Sequence, residues 1–321
     1  MLRRTFALLI GLTLAGAAAP PAQAAYPDKP VRIIVAYPAG QGTDLATRYL
    51  AERLTQALGQ TFYVENRGGA GGNIGTDIAA RAEPDGYTLT MGTNATHALN
   101  AYLYPEMSFD AARDFAPIAL VATFPMVLMT RTDAEFGSLA DVLQAAKTRK
   151  GAADIGMPST TARLVLELLK EQTGAPLFGV PYKGSSTAMA DVMGKQIALT
   201  IDTVGAARPQ LAGGKLKALG VTSQQATALL PDVPTLASQG YPEFEVIAWN
   251  ALYAPRGTPD GVVQRLNQTV NRILQEPQTR DRLLQMGYDR GGGSPKDLAD
   301  FAQAERDKWA PIIKKAGIKA G

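Results

Sequence analysis

The chain has 321 residues, no cysteine and a single histidine, which excludes disulfide staples, thiolate metal sites, a cysteine nucleophile and the paired-histidine zinc motifs. With 32 basic against 29 acidic residues the formal charge is +3. Two of the basic residues stand at positions 3 and 4, so the remainder is nearly neutral, a balance that argues against a nucleic-acid binder.

Residues 1–24 read as a secretory leader. Arg3 and Arg4 make a positive start, Phe6 to Ala19 is apolar, and Ala22-Gln23-Ala24 offers small residues to a signal peptidase, with cleavage expected before Ala25. The apolar run is shorter than the roughly 20 residues of a membrane span, and Pro20-Pro21 interrupts it. Arg3-Arg4-Thr5-Phe6 partly resembles a twin-arginine signal, which leaves the export route open, and Ala17 stands where a lipoprotein carries its cysteine. The mature chain is expected in the periplasm, not embedded in the membrane.

About 300 mature residues suggest two domains, on a prior of roughly 100 to 200 residues each. The pattern predicts a strand over Val31 to Tyr37, a helix from Leu45 to Leu58 closed by Gly59, and a second strand from Thr61 to Glu65. A helix from Ile74 to Arg81 follows, then the turn Pro84-Asp85-Gly86 and a strand from Tyr87 to Met91. The second half repeats this order. Helices are expected at Leu139 to Lys147, Thr161 to Gln172 and Thr187 to Met193, with strands at Asp154 to Met157, Leu177 to Pro181, Ile197 to Ile201 and Leu216 to Thr222. The apolar stretches Ile118 to Thr130 and Phe244 to Tyr253 are either two crossings between lobes or ordinary core strands of independent domains. Helices Pro259 to Gln275 and Pro295 to Lys315 close the chain.

Small and glycine-rich loops follow the strands. The first carries Tyr37-Pro38-Ala39-Gly40-Gln41-Gly42-Thr43-Asp44. The second runs from Asn66 through Arg67, Ala70 and Gly71 to Gly75, and the third holds Thr93, Asn94, Thr96 and His97. The second half adds Pro158-Ser159-Thr160-Thr161, Tyr182-Lys183-Gly184-Ser185-Ser186-Thr187 and Asp202-Thr203. Helix N-termini offer unpaired N–H groups and the positive end of the dipole to an anion, and parallel sheets collect such loops at one edge. Singly, each loop also reads as a plain cap or turn; the set points to an anion held mainly by backbone N–H groups. On that reading, Gly42→Val abolishes binding and leaves the fold intact.

Other chemistries fit poorly. The G-x-G-x-x-G pattern meets Ile74 from Gly69 and Leu45 from Gly40 in place of its third glycine, and neither G-K-[ST] nor G-x-S-x-G occurs. His97 is a lone base or, more simply, a hydrogen-bonded loop residue. Arg67 clamps a carboxylate or pairs with Glu65. Lys183 is a ligand contact or a solvated lysine.

The ordered set of motifs resembles the receptors of tripartite tricarboxylate transporters, the Bug receptors, over nearly the whole mature chain. The resemblance rests on Tyr26-Pro27-Asp28-Lys29-Pro30, Thr43-Asp44, Val64 through Gly75, Pro84-Asp85-Gly86-Tyr87-Thr88-Leu89, Val180-Pro181-Tyr182-Lys183-Gly184, Leu230-Pro231-Asp232-Val233-Pro234-Thr235 and Ala254-Pro255-Arg256-Gly257-Thr258-Pro259. It implies an α/β, two-lobed periplasmic-binding-protein fold of type II, two Rossmann-like lobes joined by two crossing strands. Lobe 1 would be residues 25–125 with 248–321, and lobe 2 residues 126–247. It further implies a carboxylate ligand, a membrane transporter of large and small subunits as partner, and no cofactor. Gln41 separates two glycines that are usually adjacent in the family, and either reaches the ligand or narrows the pocket. Arg163 follows Met157-Pro158-Ser159-Thr160 where the family usually has a histidine after a glycine-rich loop; it adds a positive charge to the cleft or lies on a solvent-facing helix surface.

The reading is therefore a monomeric, non-enzymatic carboxylate receptor for transport. The rivals are a periplasmic carboxylate sensor feeding a signalling system, and a secreted enzyme acting on a carboxylate.

Overall fold

The structure, a computed structural model, describes residues 26–319; the expected leader and its cleavage point lie outside them. Strands β1 (Val31–Val35), β2 (Phe62–Asn66) and β3 (Thr88–Thr93) run parallel in the order β2-β1-β3. Val31, Ile33, Ile34 and Val35 are all fully buried, as expected of a parallel strand covered on both faces. Helices α1 (Gly42–Leu58) and α2 (Asn73–Ala80) connect these strands. α1 stops where Gly59 turns left-handed at φ 72° and its N–H returns to the Thr55 carbonyl. After β3 comes a π-helical turn, Ala95–Leu99, then the short α3 (Asn100–Leu103), neither of which the pattern predicted.

β4 (Phe115–Arg131) serves both lobes. Up to Pro125 it pairs antiparallel with β9 (Ile247–Pro255) and carries β10 (Asp289–Gly292) on its other edge. From Met126 its partners become β7 (Leu199–Thr203) and β8 (Leu216–Val221). Proline has no N–H to give to a ladder, so pairing can change partners there without an orphaned donor. Thr222, fully buried, joins the outgoing and returning strands. Its hydroxyl accepts from the Met126 N–H at 2.8 Å and donates to the Val246 carbonyl at 2.6 Å. Its own N–H reaches the Met126 carbonyl, and its carbonyl accepts from the Val246 N–H, both at 2.9 Å.

The second lobe contains β5 (Ile155–Met157) and β6 (Gly179–Pro181), parallel to each other, with β7 parallel to β5. Around them lie α4 (Leu139–Thr148), α5 (Thr160–Thr173), α6 (Ser185–Met193) and α7 (Val204–Ala212). The first lobe reads β2-β1-β3-β9-β4 and the second β6-β5-β7-β4-β8. Each is three parallel strands, then an antiparallel crossing strand, then one more.

α8 (Asp260–Gln275), α9 (Pro277–Met286) and α10 (Pro295–Ala316) complete the chain. α9 buries only Thr279 and Leu283, so it shows no apolar period in the sequence. The end of α10 crosses to the second lobe, where Lys315 Nζ pairs with Glu171 of α5 at 2.7 Å. A second contact between lobes joins α7 to the end of α9. Arg208 Nη1 donates to the carbonyls of Leu284 and Gln285 at 2.8 and 2.9 Å, in the last turn of the helix, where the dipole favours a cation. There the backbones of Gly205 and Gly287 nearly touch: a Cβ on Gly287, at φ +89°, would sit 2.5 Å from Gly205 Cα.

Gly287→Ala should therefore cost more stability than Gly174→Ala, which has φ +62° and open space around it. Left-handed strain alone costs about 1–2 kcal/mol in both, and the collision adds to it only at 287. Equal losses in urea unfolding would show that the glycine contact between the lobes contributes nothing.

Candidate functional site

Parallel strands bring the loops of each lobe to one edge, and the two edges meet. Asn94, just after β3, donates from Nδ2 to Thr161 Oγ1 in the first turn of α5 at 2.9 Å, with both residues buried. The first lobe brings to this edge the loop 37–43, the turn Ala70–Gly72 and the segment Thr93–Thr96. The second brings the N-termini of α5, α6 and α7. Ser159 caps α5 by accepting from the Ala162 N–H, Thr203 caps α7 through the Ala206 N–H, and α6 begins at Gly184 with no side-chain cap. Thr160 is half-buried beside Ser159, and Lys183 is exposed before α6.

Asp44 holds the first loop in shape. Its buried carboxylate accepts from the Gly40 N–H at 2.8 Å, Arg48 Nε at 3.0 Å and Asn66 Nδ2 at 2.9 Å. Burial alone would raise its pKa, but the hydrogen bonds from Arg48, Gly40 and Asn66 outweigh it and hold it below the usual carboxylate value. Asn66 also donates to the Tyr37 carbonyl at 3.0 Å, so both ends of the loop are pinned and Pro38, Ala39, Gly40 and Gln41 are presented outward, exposed. Behind them, Tyr37 and Thr93 share a hydrogen bond between hydroxyls at 2.8 Å, and Thr96 Oγ1 accepts from the Thr93 N–H at 3.1 Å. The chain comes close here only because Gly72 lacks a side chain: a Cβ would lie 2.6 Å from Thr96 Cγ2.

The expectations for Gly42 and His97 need correction, and Arg67 and Arg163 each have a protein partner. Gly42 is a packing position, since a Cβ there would lie 2.3 Å from the hydroxyl of Tyr288, whose ring is buried against Phe124 at 5.0 Å. A valine would disturb the fold as well as the loop. Arg67 pairs with Glu65 at 2.5 Å, and Glu65 also takes Arg32 at 3.0 Å, so the Arg67 guanidinium is already engaged. Arg163 Nη1 donates to the Lys319 carbonyl at 2.9 Å, which turns its charge toward the C-terminal segment. His97 is a core residue. The π-helical turn directs its ring inward, where it stacks on Tyr253 at 4.1 Å and 19° and meets Phe115 at 4.8 Å. Burial, helped by the nearby positive charge of Arg306, lowers its pKa to about 3.

Asp202, at the carboxyl end of β7, is 3 % exposed. One oxygen accepts from the Thr203 N–H at 2.7 Å, and the other has no partner among the described residues. Burial pushes its pKa up to about 6, against the opposing effect of the nearby Ser185 and of Thr203. A position not singled out from sequence is Asn250 on β9, which accepts from Thr43 Oγ1 at 3.1 Å. The signal for it was present: an asparagine within the apolar run Phe244 to Tyr253. Among the described residues, no helix is long and apolar enough to cross a membrane.

Two lobes, two crossings and facing loop edges define the fold of a periplasmic solute-binding protein. BugD, a periplasmic binding protein, matches it with a TM-score of 0.79 at 34 % identity, over 92 % of this chain and 99 % of its own. Residues 46–318 match the model of the tripartite tricarboxylate transporter family receptor, and the chain belongs to that family. BugT of Bordetella pertussis is 34 % identical over 313 residues, covering 97 % of this chain and 96 % of BugT. An R. palustris protein solved with adipate superposes with a TM-score of 0.84 at 35 % identity, over 92 % of this chain and 99 % of its own. MatC from Rhodopseudomonas palustris, solved with bound malate, gives 0.78 at 30 %, over 90 % and 100 %.

Two outcomes test these assignments. Gly42→Ala should lower stability by about 1–3 kcal/mol through overpacking, and adding Tyr288→Phe should restore most of it, because the next ring atom lies 3.6 Å from the new Cβ. A double-mutant cycle with no coupling would remove Tyr288 as the cause. Because the folded pKa of His97 lies below its ordinary 6.5, its contribution is present above pH 6.5 and lost as the pH falls toward about 3. His97→Gln should flatten that part of the melting-temperature profile; an unchanged acid slope would show that other groups govern it.

Proposed function

We propose that this chain is a periplasmic receptor that captures a small mono-, di- or tricarboxylate between its lobes and delivers it to a membrane transporter of a large and a small subunit. Lobe 1 is residues 25–125 with 248–321 and lobe 2 is residues 126–247; the leader 1–24 is removed on export, and the receptor acts as a monomer. The observation that carries this reading is the meeting of the loop edges at Asn94 and Thr161, with three helix N-termini on one side and the pinned loop 38–42 on the other.

Such an edge favours an anion through N–H groups and hydroxyls rather than through cations. Arg67 is paired with Glu65 and Arg163 is turned to Lys319, so neutral dipoles do most of the holding, and binding stays reversible. Tyr37, Gly40, Gln41, Ala70, Gly71 and Thr93 serve it from lobe 1, with Ser159, Thr160, Lys183 and Asp202 from lobe 2. The adipate and malate of the related structures support a carboxylate ligand. The ligand is bound and released unchanged, with no cofactor.

A thermal-shift screen against succinate, malate, adipate, citrate and benzoate, with neutral sugars and amines as controls, tests this. A carboxylate at 100 times its dissociation constant should stabilise the protein by about 2.7 kcal/mol and be recovered intact afterwards. A shift with the controls alone, or chemical conversion of the carboxylate, would overturn the reading.

A further inference from the structure

Asn250 sits mid-strand in β9 with no exposed surface, opposite Thr93 of β3 on one side and Ala122 of β4 on the other. One end of its amide is bonded to Thr43 Oγ1 at 3.1 Å, and its Nδ2 is buried with no partner among the described residues. An unbonded buried amide destabilises a fold, and an apolar side chain of similar size would not. Such an orphan needs an explanation.

Its neighbours locate it. Thr43 lies in the first turn of α1, directly after the exposed Gln41 and Gly42. Thr93, facing Asn250 across the ladder, projects from the same side of the sheet and binds the Tyr37 hydroxyl. Asn250 thus joins a group of three hydroxyls, those of Tyr37, Thr43 and Thr93, at the loop edge of lobe 1. One residue beyond Thr93, Asn94 makes the contact with Thr161 of the other lobe. The lobes must part at that contact to admit a ligand.

We propose that Asn250 is a carboxylate-binding residue, its Nδ2 uncovered as the lobes part and donating to a carboxylate oxygen of the captured ligand. The inference rests on the carboxylate reading above. The Thr43 hydroxyl is both donor and acceptor and satisfies either end of the amide, so an anion selects the orientation that turns the NH2 group outward. The strand that returns the chain to lobe 1 then also touches the ligand.

The test is calorimetry with succinate, malate and adipate on the unaltered protein, Asn250→Leu and Asn250→Asp, alongside urea unfolding of each. Asn250→Leu should keep or raise the unfolding midpoint and weaken the carboxylates about 10- to 100-fold, the loss expected for one hydrogen bond to a charged group. Asn250→Asp should weaken them further at pH 7.5 and recover part of the loss at pH 5 as the new acid takes up a proton. A lowered midpoint with unchanged affinity in Asn250→Leu would make the amide a structural group and overturn the inference, as would a pH-independent Asn250→Asp. If the unaltered protein binds neither these three nor citrate or benzoate, the carboxylate reading falls and the inference with it. If it binds and both variants bind equally well, only the inference falls.

Discussion

Thr222 ties the two halves of this molecule together. One buried threonine exchanges four hydrogen bonds with Met126 and Val246, the residues where the chain leaves one sheet and returns to the other. Without that bridge the two crossing strands would each present unpaired backbone groups between sheets, where water is excluded and an unmade hydrogen bond is expensive. Pro125, the last β4 residue in register with β9, brings no N–H to the point where the partners change. The lobes can therefore be separate bodies above the hinge and continuous below it, an arrangement suited to opening and closing around a solute.

Charge is used at the site in an indirect way. Asp44 and Arg67 belong to the loops nearest the candidate ligand, yet both are occupied with protein partners. Asp44 shapes the loop whose backbone is presented, and Arg67 shares the carboxylate of Glu65 with Arg32. On the proposed reading, what faces the cleft besides Lys183 and Asp202 is a field of dipoles: helix starts, hydroxyls and glycine-rich backbone. Such a field attracts an anion without the deep desolvation cost and tight retention of a buried ion pair, as a receptor that must hand on its ligand requires.

Much of the architecture was legible from periodicity. β1 is β-branched at every position but Arg32, α1 has an apolar stripe closed by Gly59, and the strand-loop-helix order repeats in the second half. The misses share a cause. α9 and β10 carry few apolar residues, and the start of β4 at Phe115 is masked by Pro117, which sits beside a register shift with β9. At the site, the glycine loops announced themselves because unusual backbone requires unusual residues. The allegiance of each charged side chain did not, since whether Arg163 meets a ligand or the Lys319 carbonyl depends on contacts 156 residues apart. His97 was misplaced for the same reason: nothing local signals that a π-helical turn will rotate a polar residue into an aromatic stack.

The end of α10 belongs by sequence to the last segment of lobe 1 but is fastened to α5 of lobe 2 through Lys315 and the Lys319 carbonyl. A fluorophore attached at this end would sit on the seam between the two lobes rather than on either one. On the capture proposed above, its surroundings would change as the lobes part and close, which makes this end an attachment point for an optical reporter.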